Sequence, residues 1–191
     1  MKKEIRIHGR GGQGVVALAE ILAIAFFYNG KEVQAFPHFG VERSGAPIQS
    51  FVRVSDQPIL SREHVYEPDI LIILDDTLLG RVDILAGIKT NSKIIINSSR
   101  SSSELEKILK SLSTIRIKSE NIYAVPATAV ALEVFGRKMV NTIVLAALTQ
   151  VPGLINMKSV KQAVKEKFLE KGENVVQKNF LAMDKIIKVI K

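Results

Sequence analysis

Residues 3–28, KEIRIHGRGGQGVVALAEILAIAFFY, decide the fold. Alternating residues at 3–8 predict a strand, which runs into a glycine-rich turn at 9–14. The run at 15–28 carries one charge and is otherwise apolar on every side, as expected of a helix buried in a core. Asn29-Gly30 ends that helix, and a second strand is predicted to begin at residue 31. Strand, glycine turn, helix and strand together form the βαβ unit of a parallel sheet.

The rest of the chain continues to alternate strands and helices. Further strands are predicted at 48–54, 70–74, 93–97, 115–117 and 122–125. Helices are predicted at 77–86, from the serine-rich run 98–103 to about residue 112, from 126 to a break at Gly136, and at 138–150, 158–170 and 173–190. The sequence therefore predicts a single Rossmann-like three-layer α/β/α domain over residues 1–191, with a mostly parallel sheet.

Composition excludes several classes of function. The 191 residues contain no Cys, which excludes a disulfide framework, a thiolate zinc site, a catalytic Cys and a cysteine-held iron–sulfur cluster. The start of the chain does not resemble a signal peptide, and the longest uncharged stretch, 139–157, is too polar for a membrane span. We therefore expect a cytoplasmic protein that does not associate with membranes.

The net charge of +8 is concentrated at the end of the chain, where residues 158–191 carry nine Lys and four acidic residues. Because these Lys alternate with apolar residues in two helical patterns, a solvated helix face accounts for them. The alternative is attraction to an anionic partner. Nucleic acid is the least favoured partner, since the chain has no Trp and no clustered Arg, and we expect no nucleic-acid binding.

The glycine turn, Gly9-Arg10-Gly11-Gly12-Gln13-Gly14, fits G-x-G-x-x-G between a strand and a helix. Such a loop brings backbone N–H groups close to an anion at the positive end of a helix. A dinucleotide would also require an acid at the end of the second strand, but residues 33–36 read VQAF. The loop is not a P-loop, because no Lys-Ser/Thr follows it. Three interpretations of the loop remain. It binds another phosphate-bearing ligand, it forms a surface for another subunit, or its glycines allow tight packing of the strand against the helix.

Two further segments are candidates for the same chemistry. Asp75-Asp76 follows a core strand, where α/β proteins place ligands, although capping the next turn is the simpler interpretation. Thr128, after Pro126, is an N-cap whose hydroxyl and neighbouring N–H groups could receive an anion.

The loop at 37–47, PHFGVERSGAP, combines exposed aromatic residues with Gly and Pro and predicts a partner surface. Arg43 in this loop could reach a phosphate or carboxylate across a subunit boundary, or form an exposed ion pair with Glu42. The residues expected at the partner interface are Phe36, His38, Phe39, Glu42 and Pro47. His8, His38 and His64 lack the spacing of a metal site, so no metal ligand is predicted.

Four segments together carry a family resemblance: HGRGGQGVVALAEILA at 8–23, FPHFGVERSGAPIQSFVRV at 36–54, EPDILIILDDTLL at 67–79 and VPATAVALEVFGRKMVNTIVLAAL at 125–148. They resemble the gamma subunit of pyruvate and related 2-oxoacid:ferredoxin oxidoreductases, in order and over essentially the full chain. The loop around 39–47 looks most like the pyruvate-specific and branched-chain-specific subgroups.

This resemblance implies a multisubunit complex that converts a 2-oxoacid and coenzyme A to acyl-CoA and CO2 and reduces ferredoxin. It places thiamine diphosphate, magnesium and the iron–sulfur clusters on the alpha, beta and delta subunits, so this chain alone holds no cofactor, contributes no catalytic residue and is inactive in isolation. It implies that the gamma subunit assists coenzyme A binding and assembly. The chemistry of the residues themselves offers residues 9–14, Arg43 and Thr128 for that binding. A stand-alone nucleotide-binding or regulatory module is the alternative.

Overall fold

In a computed structural model that describes residues 2–38, 44–61 and 63–190, six strands form one sheet. The strands are β1 Lys2–Arg10, β2 Glu32–His38, β3 Pro47–Ser55, β4 Ile70–Ile73, β5 Lys93–Asn97 and β6 Ile122–Val125. The helices are α1 Val15–Tyr28, α2 Ser102–Leu112, α3 Ala127–Phe135, α4 Asn141–Ala147, α5 Met157–Phe168 and α6 Glu173–Val189. None of the helices within these ranges is both long enough and apolar enough to cross a bilayer.

The strand order is β2-β3-β1-β4-β5-β6. Among the described strands, only β3 runs antiparallel to the other five. The prediction of a mostly parallel sheet is therefore confirmed. β1, α1 and β2 do form a crossover, but β3 inserts between the two strands instead of letting them pair. The connection from β2 to β3 spans eight residues, 39–46, and is too short for a parallel crossover, so β3 runs antiparallel beside β2.

The two faces of the sheet carry separate cores, as the predicted three layers require. Helices α1, α3, α4, α5 and α6 pack on one face. Helix α2 and the turns at 78–88 pack on the opposite face of β4 and β5, over Leu71, Ile73, Ile94 and Ile96. Helix α1 lies between the sheet and helices α4 and α5. This explains why most of its sequence is apolar around the helix axis, since two sides are covered; Phe27 and Tyr28 at its end remain exposed.

The second face of β1 and β3 has no helix over it within the described residues. It is covered by a segment without regular structure, residues 59–61 and 63–68, which we call the strap. Buried Arg53 donates to the carbonyls of Ser61 (3.4 Å) and His64 (3.1 Å) and pairs with Glu4 (2.8 Å). Buried Arg6 bonds four further carbonyls, two of them on the strap. Side-chain hydrogen bonds thus hold the strap to the sheet.

Two predicted elements are wrong. Residues 115–117 form no strand, although Ile117 is buried in the second core. In place of a helix at 77–86, the chain forms a single 3-10 turn at Asp76–Leu78. Gly80, at φ 75°, turns the backbone away from the helical path directly after it.

Candidate functional site

A cleft of about 490 Å³ lies where the glycine turn meets the carboxyl ends of β4, β5 and β6. The chain leaves β1 towards one face of the sheet and β5 towards the other, and α/β proteins bind ligands at such a reversal. The lining residues lie at or after the ends of β1, β4, β5 and β6, in α3, or just before α4: Gln13, Leu74, Asp75, Asp76, Thr77, Asn97, Ser98, Ser99, Pro126, Thr128, Ala129, Leu132, Lys138 and Val140.

The glycine turn is closed on itself and tied to the start of β3. The Arg10 N–H donates to Gln13 Oε1 (2.8 Å), and the Gln13 N–H donates to the Arg10 carbonyl (3.0 Å). The Gly11 N–H donates to the Ala46 carbonyl (2.9 Å), and its own carbonyl accepts from the Gly45 N–H (3.1 Å). These bonds set the shape of the turn before any ligand arrives.

Other amides of the turn are left open. Gly12 and Gly14 adopt φ 92° and φ 77°, a region that side chains disfavour. Their N–H groups, and those of residues 15–17 in the first turn of α1, find no acceptor among the described residues. Helix α1 also has no side-chain cap. Free N–H groups at the positive end of a helix form an anion-binding arrangement.

Asp75 connects the glycine turn to the end of β4. Its Oδ2 accepts from Gln13 Nε2 (2.9 Å) and Arg10 Nε (3.1 Å), and its Oδ1 accepts from the Thr77 N–H (3.0 Å) and hydroxyl (2.5 Å). Burial alone would raise the pKa of this carboxyl. The hydrogen bonds from Thr77 and Gln13 and the charge of Arg10 outweigh burial and lower the pKa below its usual value. Asp75 is therefore a fixed anion that positions the turn.

Arg10 is occupied by the same network. Besides Asp75, it donates through Nη1 to the Gly45 carbonyl (3.1 Å) and through Nη2 to the Thr77 hydroxyl (2.8 Å). All three nitrogens of its guanidinium are thus bonded inside the protein. The structure places Arg10 beside the cleft as a clamp on the loop.

A second network holds the start of α3. Asn97 donates through Nδ2 to the Leu74 carbonyl (2.9 Å), and its Oδ1 accepts from the Thr128 N–H (3.1 Å). Asp76 accepts from the Ser98 hydroxyl (2.7 Å) and pairs with Arg100 (2.5 Å). The structure thus brings Thr128 and Asp75-Asp76 into one cleft with Gln13, the one residue of the glycine turn that lines it. Sequence reasoning missed Asn97, Ser98 and Lys138; the position of the first two at the carboxyl end of a core strand was the available signal.

The predicted partner surface is described only in part. Phe39, Glu42 and Arg43 lie outside the described residues, while half-buried Phe36 and His38 lie on β2 and exposed Pro47 begins β3. His38 Nδ1 lies 3.2 Å from His64 Nε2 of the strap, and the His64 ring stacks on Phe51 at 5.0 Å. Next to His64, the Tyr66 side chain is 67% exposed. Aromatic residues of β2, β3 and the strap therefore form one cluster.

Comparison with known proteins defines the family. Residues 4–189 match the family model described as pyruvate ferredoxin/flavodoxin oxidoreductase, and the chain belongs to that family. The "Pyruvate/ketoisovalerate oxidoreductases common subunit gamma" of Thermococcus kodakarensis is 47% identical over 166 residues, 86% of each chain. The "Pyruvate synthase subunit PorC" of Methanothermobacter thermautotrophicus is 40% identical over 187 residues, 97% of each chain. These matches confirm the resemblance carried by the four segments.

Solved structures agree. The crystal structure of pyruvate oxidoreductase subunit PORC from Thermotoga maritima has a TM-score of 0.79 and 32% identity, covering 95% of this chain and 93% of that one. The 2-oxoglutarate:ferredoxin oxidoreductase of Magnetococcus marinus, solved with 2-oxoglutarate, coenzyme A and succinyl-CoA bound, has a TM-score of 0.75 over 99% of this chain and 31% of that one. At 22% identity, the second likeness shows the fold alone.

Proposed function

We propose that this chain is the gamma subunit of a cytoplasmic, thiamine-diphosphate-dependent pyruvate:ferredoxin oxidoreductase, and that its cleft contributes to coenzyme A binding. The names of the relatives from Thermococcus kodakarensis and Methanothermobacter thermautotrophicus support pyruvate as the substrate. The relative from Thermococcus kodakarensis is named as a subunit common to pyruvate and ketoisovalerate oxidoreductases, so a branched-chain 2-oxoacid is the alternative substrate.

The observation that carries the coenzyme A proposal is the set of unpaired amides in the glycine turn and the first turn of α1. Coenzyme A presents a diphosphate and a 3′-phosphate, which need backbone donors and cations. Hydrogen bonds to charged groups contribute about 1.5–3 kcal/mol each. Asp75 fixes the turn through Gln13 (2.9 Å), so the amides need little rearrangement when the coenzyme binds.

The remaining chemistry belongs, in this proposal, to the alpha, beta and delta subunits. They carry thiamine diphosphate with its magnesium and the iron–sulfur clusters, and they pass electrons to ferredoxin. This chain has no Cys to hold a cluster. It binds and orients the coenzyme, assists assembly as one domain over residues 1–191, and is inactive alone.

Replacing Gly12 with Val tests the coenzyme site. A Cβ at Gly12 meets no atom within 4 Å, so the new side chain projects into the space above the loop, at a φ of 92° that valine disfavours. In the assembled complex we expect the KM for coenzyme A to rise roughly ten- to hundredfold. Reaction of the oxoacid with the thiamine cofactor, assayed without coenzyme A, should be nearly unchanged.

A matched control is Gly153→Val, because Gly153 also has a positive φ (69°) and an open Cβ position, but belongs to the connection between α4 and α5 instead of the glycine turn. It should leave the KM for coenzyme A at the wild-type value. Lost decarboxylation with normal coenzyme A saturation in Gly12→Val would show that the turn serves assembly and not the coenzyme.

We also propose that Phe36, His38 and Pro47, with Phe39 and Glu42, form part of the surface for a partner subunit. The exposed Tyr66 beside His64 extends this surface onto the strap. Exposed aromatic side chains are frequent anchors of protein interfaces.

Tyr66→Asp tests that surface. Loss of one aromatic anchor should weaken assembly by about 2 kcal/mol, roughly 30-fold in the dissociation constant. Size-exclusion chromatography of the reconstituted complex at decreasing concentration measures this change. Leu181→Asp is the control, since Leu181 is similarly exposed (60%) but lies on α6. Equal dissociation of the two variants would exclude the strap from the interface.

A further inference from the structure

Both carboxylates that line the cleft are paired with an arginine. Asp75 is paired with Arg10 at 3.1 Å, and Asp76 is paired with Arg100 at 2.5 Å. Each cleft carboxylate is thus matched by one guanidinium, and these four groups together contribute no net charge. A phosphate that approached them would gain little attraction.

Lys138 is the exception among the cleft residues. It lines the cleft, is exposed, and pairs with no carboxylate among the described residues. Gly136 ends α3 at φ 68° and turns the backbone there. Lys138 and Val140, in the connection from α3 to α4, therefore lie against the cleft. The cleft therefore carries one cation in excess, held at its rim.

The surroundings of Lys138 suit a ligand with both phosphate and apolar parts. Leu132 lines the same cleft and is 47% exposed, and buried Val140 and Leu74 complete an apolar wall. The N-terminal end of α3 borders the cleft through Pro126, Thr128 and Ala129, and its dipole adds to the field of Lys138, with the Thr128 N–H already bonded to Asn97. Gln13 of the glycine turn lines the same cleft.

We propose that Lys138 is the cation that binds a phosphate group of coenzyme A in this cleft, and that Arg10 instead acts as a positioning residue for the glycine turn. The inference rests on the proposed function, which it deepens. It follows from which cation is free: all three nitrogens of Arg10 are bonded within the protein, whereas Lys138 pairs with no described carboxylate.

The test is Lys138→Ala in the assembled complex. Loss of one charge-assisted contact should raise the KM for coenzyme A at least tenfold, with kcat and the half-reaction without coenzyme A unchanged. Lys138→Arg should restore most of the affinity, since the charge is kept. Lys178→Ala, an exposed lysine of α6 that does not line the cleft, should have no effect.

Dephospho-coenzyme A, which lacks the 3′-phosphate, distinguishes the phosphates. If the variant and the wild type have equal KM for this analogue, Lys138 contacts the 3′-phosphate; if the difference persists, it contacts the diphosphate. An unchanged KM for coenzyme A in Lys138→Ala overturns the inference. The proposed coenzyme A site is tested separately by Gly12→Val. If that variant leaves the KM for coenzyme A unchanged as well, the proposed function is wrong.

Discussion

A chain with methionine in place of Arg6 is expected to lose about 3–5 kcal/mol of its free energy of unfolding, the largest effect of any substitution considered. The Arg6 side chain is 5% exposed. Its Nη1 donates to the carbonyls of Val65 (3.3 Å) and Tyr66 (3.2 Å), and its Nη2 donates to those of Ile84 (3.0 Å) and Ala86 (2.6 Å). Methionine fills similar space but donates nothing, so four carbonyls lose their partner at once.

Chemical denaturation measures this loss. The control is Arg116→Met, since Arg116 is exposed and its replacement should change stability by less than about 0.5 kcal/mol. Proteolysis should cut the Arg6 variant first within the strap, because the strap is held through its carbonyls. A loss below about 1 kcal/mol would mean that water replaces the guanidinium at these carbonyls.

Arg6 also shows where sequence reasoning reaches its limit. The alternation in residues 3–8 correctly predicts a strand with Ile5 and Ile7 facing a core. The same alternation suggests that Arg6 faces solvent, yet it is buried. Its cover is the strap, about 60 residues further along the chain, which has no hydrophobic period of its own. A local pattern does not identify a partner of this kind.

In the candidate site, too, one part was predictable from the sequence and another was not. The meeting of the glycine turn, through Gln13, with Asp75-Asp76 and Thr128 at one cleft was predictable, because the carboxyl ends of parallel strands meet at one edge of a sheet. The division of roles between Arg10 and Lys138 was not predictable. It depends on the contact of Arg10 with Asp75, 65 residues away, and on the path that the chain takes after Gly136.

Acid is expected to destabilise the protein through His8, well before the carboxylates are protonated. His8 is 9% exposed, and its Nε2 has no hydrogen-bond partner. Burial, assisted by the charge of Arg6, lowers the pKa of His8 to about 3. Below pH 6.5 the unfolded chain binds a proton that the folded chain does not bind, so stability is complete above pH 6.5 and falls as the pH drops towards 3. Between pH 7 and pH 5 this costs about 2 kcal/mol.

His8→Gln should remove this loss, because glutamine does not titrate. Denaturant unfolding at pH 7, 6 and 5 should therefore show the wild type losing about 2 kcal/mol more than the variant over that range. The control is His38→Gln, which retains His8 and should retain the steeper loss relative to His8→Gln. Parallel curves for the wild type and His8→Gln would show that His8 takes up its proton in the folded protein. Water would then reach this face of β1, and the strap would open without unfolding the sheet.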